Sequence, residues 1–86
     1  RYTDDHILDY MEVDTSHAIF EVEVPKTWIG KTVGGLDIRR RYNINILAVK
    51  KEGEFSIAIS ADTYLAENNK LLVLGEYRAL QKCFRI

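Results

Sequence analysis

The first regular pattern along the chain is an alternation of apolar and polar residues between positions 18 and 24. Every second residue from Ala18 to Val24 is apolar, whereas the positions between them include Glu21 and Glu23. A period of two is typical of a strand with one buried and one wet face. Pro25 ends this strand because proline has no N–H group to give to a neighbouring strand.

A second apolar run, residues 43–50, predicts a strand that is buried on most of both faces. The turn that follows contains Gly53, which adopts a positive φ readily. Apolar and small residues then alternate again, which predicts a second hairpin arm with Phe55, Ile57 and Ile59 on one face.

Residues 60–70 are polar and predict a loop, in which Tyr64 and Leu65 are expected to contact the core. Residues 71–74 are continuously apolar and predict a short strand. Gly75 is expected to end that strand, since glycine weakens a strand interior.

Two helices complete the predicted elements. Residues 36–42 predict a short helix, and residues 76–84 predict another, whereas residues 1–12 fit a helix or a frayed tail equally well. The apolar stripe of the last helix consists of Tyr77, Leu80, Cys83 and Phe84. Together the elements predict an α+β domain with a small mixed or antiparallel sheet and flanking helices.

Composition limits the classes of function. The chain has 86 residues, which is enough for one domain, and a net charge of −1, which gives no bulk attraction to nucleic acid or anionic lipid. Its one cysteine, Cys83, excludes an internal disulfide, fits a reducing compartment and is expected to be a core thiol. Because the chain begins with Arg1 rather than methionine, we expect it to be part of a longer protein.

Candidate chemistry is concentrated between Trp28 and Ile46, where a turn, an arginine run and an apolar strand follow one another. We expect any small anionic ligand to bind in this stretch. The Gly30-Lys31-Thr32 segment matches the end of a phosphate-binding P-loop, but Pro25 stands where that motif requires glycine. A plain turn between strand and helix is therefore the favoured interpretation.

Arg39, Arg40 and Arg41 predict either a solvated helix face or an anion site. Three successive positions span most of a helix circumference, so the three side chains cannot point the same way. One or two of them are free to meet a partner, and a guanidinium group matches the geometry of phosphate.

No set of residues predicts catalysis. Serine, histidine and acidic residues do not have the spacing of a known catalytic set, and we expect no enzymatic activity. Asp4, Asp5, His6 and Asp9 could bind a metal weakly, but a solvated helix terminus is favoured and no metal site is predicted.

Five motifs, taken in order, resemble a known family. They are P-K-T-W-I-G-K-T-V at 25–33, L-D-I-R at 36–39, Y-N-I-N-I at 42–46, A-D-T-Y-L at 61–65 and K-L-L-V-L-G at 70–75. This set resembles TrkA-C, the C-terminal lobe of RCK domains, as found in KtrA-like regulators of bacterial potassium uptake. Leu8-Asp9-Tyr10 is similar to the crossover segment that joins the two lobes. The resemblance implies a division into residues 1–17, the end of the crossover, and residues 18–86, the lobe itself.

The resemblance also implies a function and its partners. Lobes of this family are cytoplasmic, dimerise, and sit in an octameric gating ring attached to a membrane potassium transporter at the inner face of the membrane. In KtrA-like members the dimer of these lobes binds cyclic di-AMP, which restrains potassium uptake. A missing N-terminal lobe would bind NAD or ATP/ADP, so no further cofactor is expected in this chain.

The positions that match the family's cyclic di-AMP site are Val33, Asp37, Ile38, Arg39, Asn45, Ile46 and Ala61. The resemblance implies that Arg39 pairs with a phosphate, and that Asn45 and the main chain of Ile46 meet an adenine edge. Val33 and Ile38 would pack against the base. Ala61 stands where many relatives have proline, which leaves the loop freer by backbone entropy.

Two other functions stay open from the sequence. The same fold could serve as a ligand-free dimerisation and assembly module of a cation transporter or antiporter regulator. A basic patch around the arginine run could instead bind nucleic acid, although the nearly balanced charge argues against nucleic acid as a partner.

Overall fold

Five antiparallel strands form one sheet in the computed structural model, which describes residues 7–85. The order across the sheet is β1-β2-β5-β3-β4, and every neighbouring pair is antiparallel. The strands are β1 (Ile7–Glu12), β2 (His17–Glu23), β3 (Ile44–Lys51), β4 (Glu54–Ser56) and β5 (Lys70–Glu76). The predicted α+β class with a small sheet is confirmed, and the sheet is antiparallel rather than mixed.

In this described part of the chain, three helices lie between and after the strands: α1 (Val33–Leu36), α2 (Ile38–Tyr42) and α3 (Tyr77–Phe84). A 3₁₀ turn, Lys26–Trp28, follows β2. Among residues 7–85, no helix is both long and apolar enough to cross a membrane.

The core lies between one face of the sheet and the helices. Alternate residues of β2 and β5 are buried, which matches the predicted period of two. Trp28 is buried beside them, with ring centroids 5.8 Å from Tyr42 and 5.7 Å from Phe84. This aromatic cluster holds α2 and α3 together over the sheet.

The N-terminal segment is a strand, so the prediction of a helix or a frayed tail is wrong for residues 7–12. β1 pairs with β2 from Ile7–Val22 to Glu12–Ala18. The positions of Ile7, Leu8 and Met11 suit one helix face, but pairing with the outer edge of β2 gives the backbone of this segment hydrogen-bond partners. Residues 1–6, which include Asp4, Asp5 and His6 of the weak metal cluster, lie outside the described residues.

The predicted helix over residues 36–42 is two short helices instead. Asp37 lies between α1 and α2 with a left-handed backbone, φ 53° and ψ 45°. An aspartate tolerates this conformation better than most residues do, and a left-handed residue stops a helix after one turn.

The second arm of the predicted hairpin is much shorter than the alternation of Phe55, Ile57 and Ile59 indicated. β4 ends at Ser56, and Ile57 is 84% exposed. Alternating apolar residues stabilise an edge strand only when one of its faces covers a core. Here the chain leaves the sheet after three residues.

Gly75 does not end the last strand. β5 continues through it to Glu76, and Gly75 pairs with Ala18 on one side and Ile44 on the other. A side chain at this position would place its Cβ 2.9 Å from Cγ2 of Ile44. Glycine is therefore required here by close packing between strands, not by a break.

Candidate ligand-binding site

A groove of about 220 Å³ lies where α1, α2, β3 and the loop after β4 meet. Its walls are mostly apolar, with one guanidinium, one amide and one hydroxyl among them. The lining residues are Val33, Ile38, Arg39, Ile44, Asn45, Ile46, Ile59 and Ser60.

Local caps place α1 and α2 beside the groove. Thr32 caps α1, since its Oγ1 accepts a hydrogen bond of 3.1 Å from the main-chain N–H of Gly35. Asn43 ends α2 with a left-handed backbone, and its N–H donates to the carbonyl of Arg39 at 3.0 Å. Together with the left-handed Asp37, Asn43 confines α2 to little more than one turn directly before β3.

The three arginines of α2 have three different environments. Arg40 forms an ion pair with the carboxylate of Asp37. The guanidinium carbon of Arg41 lies 5.1 Å from the ring centroid of Tyr42, which is a cation–π contact. Arg39 lines the groove, and no carboxylate of residues 7–85 lies within ion-pair distance of it. Its charge is therefore available to an anion in the groove.

The edge of β3 beside the groove has no strand next to it. β4 pairs only with Val49–Lys51, so within residues 7–85 no strand lies along that side of residues 44–47. The register with β5 also shifts between Ile46 and Ala48. A bulge of this kind re-aims side chains and is common next to binding sites.

Five of the seven site residues expected from the resemblance line this groove: Val33, Ile38, Arg39, Asn45 and Ile46. The other two lie next to lining residues in the chain but do not line it. Asp37 is paired with Arg40, and Ala61 follows Ser60 and accepts a hydrogen bond of 2.8 Å from the N–H of Gly34. The assignment of all seven residues to a ligand stays a prediction.

Three lining residues were missed by the sequence reading: Ile44, Ile59 and Ser60. Ile44 was expected in the core, where it is fully buried, and it lies directly behind the groove wall. Ile59 and Ser60 were expected in the hairpin arm and the loop. Their place in the groove depends on contacts between distant segments, and no local pattern contains that information.

The pKa departs clearly from its ordinary value at Cys83 and at Asp14, and neither residue lines the groove. Cys83, predicted as a core thiol, is half-buried against the core, and this burial raises the pKa of its thiol to about 12. Hydrogen bonds from the main chain of Ser16 and from His17 lower the pKa of Asp14 to about 2.

The family model of the TrkA-C domain matches residues 17–86. The chain belongs to the TrkA-C domain family. This confirms the resemblance that the five motifs indicated.

Two curated relatives of this TrkA-C domain come from Bacillus subtilis (strain 168). Ktr system potassium uptake protein C is 33% identical over 70 residues, which cover 81% of this chain and 32% of that protein. K(+)/H(+) antiporter subunit KhtT is 34% identical over 64 residues, which cover 73% of this chain and 39% of that protein. The chain thus spans about a third of the length of these relatives.

A solved structure with the same fold is the RCK C domain of the potassium transport protein KtrA, in complex with cyclic di-AMP. It superposes with a TM-score of 0.74 at 30% identity, covering 80% of this chain and 81% of that one. The predicted TrkA-C-like fold is therefore confirmed against an experimental structure of the family.

Proposed function

We propose that this TrkA-C domain is the ligand-sensing lobe of a potassium transport regulator and binds cyclic di-AMP between two copies of the chain. The observation that supports this most directly is Arg39, a guanidinium without a carboxylate partner in residues 7–85, facing a groove that also presents Asn45. The domain acts by binding and not by catalysis.

The size of the groove favours a site shared by two chains. Sites that enclose a small ligand commonly measure about 300–1,000 Å³. One chain offers about 220 Å³, which is less than a complete pocket for a dinucleotide. A symmetric ligand on the axis of an isologous dimer meets the same patch twice, so two half-sites supply the missing wall.

The guanidinium of Arg39 and the amide of Asn45 each have a counterpart in a cyclic adenine dinucleotide. The planar fork of Arg39 suits a phosphate diester. The amide of Asn45 can both donate to and accept from an adenine edge, and the uncovered edge of β3 places the main chain of Ile46 nearby. Val33 and Ile38 supply apolar contact for the base.

Similarity to potassium uptake and antiporter proteins supports the wider role. We propose that the longer protein dimerises through this lobe, assembles into an octameric ring and contacts a membrane potassium transporter from the cytoplasmic side. Binding of NAD or ATP/ADP by an N-terminal lobe belongs to the same proposal and concerns residues outside this chain.

Isothermal titration of the chain with cyclic di-AMP tests the proposal. We expect saturable binding with one dinucleotide per two chains. Cyclic di-GMP is the matched control, because guanine presents an acceptor where adenine presents an amino donor, and it should bind much more weakly.

Two other outcomes would support the competing functions. A dimer that ignores both dinucleotides would favour the assembly module. Binding of any polyanion with an affinity that falls steeply with salt would favour a nucleic-acid binder.

A further inference from the structure

The loop after β4 is attached to the start of α1 by a short ladder of main-chain hydrogen bonds. Residues 61–65 run beside residues 30–34, and an isolated bridge joins Thr32 to Tyr64. The four bonds are Gly30 N–H to Leu65 O (2.8 Å), Leu65 N–H to Lys31 O (2.9 Å), Val33 N–H to Thr63 O (2.9 Å) and Gly34 N–H to Ala61 O (2.8 Å). We call residues 57–66 the groove loop.

The two segments approach most closely at Gly34. A Cβ atom there would lie 2.7 Å from Cβ of Ala61, 2.9 Å from its carbonyl oxygen and 3.1 Å from its Cα. Two of these three atoms belong to the backbone, so no side-chain rotation could relieve the overlap. Any side chain at position 34 must move the groove loop away from α1.

This contact joins two walls of the groove. Val33, directly before Gly34, lines one wall, and Ile59 and Ser60, directly before Ala61, line another. Within the groove loop, the local bonds are short-range turns, such as Thr63 N–H to Ser60 O at 3.1 Å. The distance of Ile59 and Ser60 from α1 is therefore set largely by the ladder and by its closest point.

We infer that Gly34 is a positioning residue for the ligand site, because its missing side chain lets the groove loop lie at the distance from α1 that the ligand requires. The inference rests on the proposed binding of cyclic di-AMP and extends it to a residue that does not line the groove. Its consequence is that one methyl group at position 34 widens the site.

Gly35 provides a matched control in the same helical turn. A Cβ atom there would meet Oγ1 of Thr32, the oxygen that caps α1, at 3.0 Å, and no atom of the groove loop lies within 4 Å among its nearest contacts. Neither glycine has a positive φ, so both tolerate alanine in backbone terms, and the gain in helix propensity is similar for both. A difference between the two variants therefore reports the contact with Ala61.

The experiment compares four proteins by calorimetric titration with cyclic di-AMP: the wild type, Gly34→Ala, Gly35→Ala and the double variant Gly34→Ala/Ala61→Gly. We expect Gly34→Ala to weaken binding about tenfold or more and Gly35→Ala to change it less than about threefold. The double variant should recover part of the affinity, since it removes the shortest of the three contacts but leaves the two backbone ones.

A second measurement does not depend on the ligand. Amide chemical shifts of the ligand-free chain should change at Ile59, Ser60 and Ala61 in Gly34→Ala and remain near wild-type values in Gly35→Ala. A general loss of stability would instead spread shifts across the sheet and lower the melting temperature without a localised change.

The outcomes separate the two claims. Wild-type binding with an unchanged affinity in Gly34→Ala would overturn the positioning role and leave the proposed function standing. Absence of wild-type binding would overturn the proposed function and with it the link between Gly34 and the dinucleotide. In that case amide shifts localised at residues 59–61 would still show that Gly34 positions the groove loop. Unchanged amide shifts there would overturn the positioning role as well.

Discussion

At the scale of single residues, the three arginines of the short helix α2 have three different surroundings. Arg40 holds the carboxylate of Asp37, and Arg41 stacks on Tyr42. Arg39 remains for the groove. Neighbouring residues on a helix point about 100° apart, so identical side chains in sequence reach different surroundings.

Arg39→Ala should weaken binding of cyclic di-AMP by about a hundredfold or more. On a two-fold axis each ligand meets Arg39 from both chains, and each charge-assisted hydrogen bond is worth about 1.5–3 kcal/mol. The fold and the dimer should persist because Arg39 is exposed. Titration calorimetry measures the loss, and Arg39→Lys should restore part of it, since a lysine lacks the planar fork.

Arg40→Ala and Arg41→Ala are the controls for this prediction, and each should cost far less affinity. Equal losses for all three variants would show that the run acts as a diffuse cluster of charge. No loss for any of them would place the ligand site elsewhere.

Asp14 organises the turn between β1 and β2. Its Oδ1 accepts hydrogen bonds from the N–H groups of Ser16 at 2.8 Å and His17 at 2.7 Å, and Nδ1 of His17 lies 2.9 Å away. The bonds from Ser16 and His17 lower the pKa of Asp14 from 3.8 to about 2. A lowered pKa means that the folded state favours the ionised form.

The stability that Asp14 contributes should therefore be complete above about pH 4 and disappear as the pH falls through about 2. Asp14→Asn removes the charge, so the gap in melting temperature between wild type and variant should narrow from pH 5 to pH 2. Asp62→Asn is the control, since within residues 7–85 the carboxylate of Asp62 accepts no hydrogen bond. A gap that stays constant with pH would contradict the prediction.

At the scale of elements, sequence patterns predicted the strands and the helix that have a core beneath them. β2 and α3 follow their periods because alternate positions and one stripe are buried. β1 and β4 lie at the two edges of the sheet, where the periodic pattern carries less information. The left-handed break at Asp37 was missed because an aspartate within a helical pattern gives a weak signal.

Gly75→Ala should destabilise the fold by about 1–3 kcal/mol, because a Cβ atom would overlap the buried Ile44 across the sheet. For a domain of this size each kcal/mol lowers the melting temperature by about 4–8 °C. Glu76→Ala, at the exposed neighbouring position, is the control and should change the melting temperature little. An equal decrease in melting temperature for both variants would contradict the proposed packing role of Gly75.

Most residues of the candidate site could be predicted from the family motifs. The others reach the groove through tertiary contacts that the sequence does not reveal. The motif residues Val33, Ile38 and Arg39 lie on consecutive short helices that the chain places beside β3. Ile59 and Ser60 reach the groove only through the ladder to residues 30–34. Such a contact between segments about thirty residues apart has no local signature.

At the scale of the whole molecule, we expect the chain to be a dimer in solution. One chain offers an incomplete groove and a short sheet whose edges no other strand covers within residues 7–85. A second copy of the chain would complete the groove and cover part of the exposed sheet edges. Sedimentation should therefore give the mass of two chains, and a monomer at high concentration, with and without cyclic di-AMP, would contradict this.

Binding should also couple to stability. A ligand held only by the folded dimer raises the free energy of unfolding by about 2.7 kcal/mol at a hundredfold excess over its Kd. The melting temperature should rise with cyclic di-AMP and with chain concentration in the wild type. Arg39→Ala should retain the dependence on chain concentration and lose most of the dependence on ligand.

The outer strand β1 has a consequence for the behaviour of the protein in concentrated solution. An unpaired backbone edge with exposed apolar side chains is a template for edge-to-edge aggregation. Within residues 7–85 no strand covers the outer edge of β1, where Leu8 and Met11 are exposed, yet Asp9 and Glu12 interrupt and end the apolar run. We expect these two carboxylates to oppose growth of a fibril, because stacking further copies onto β1 would bring like charges together.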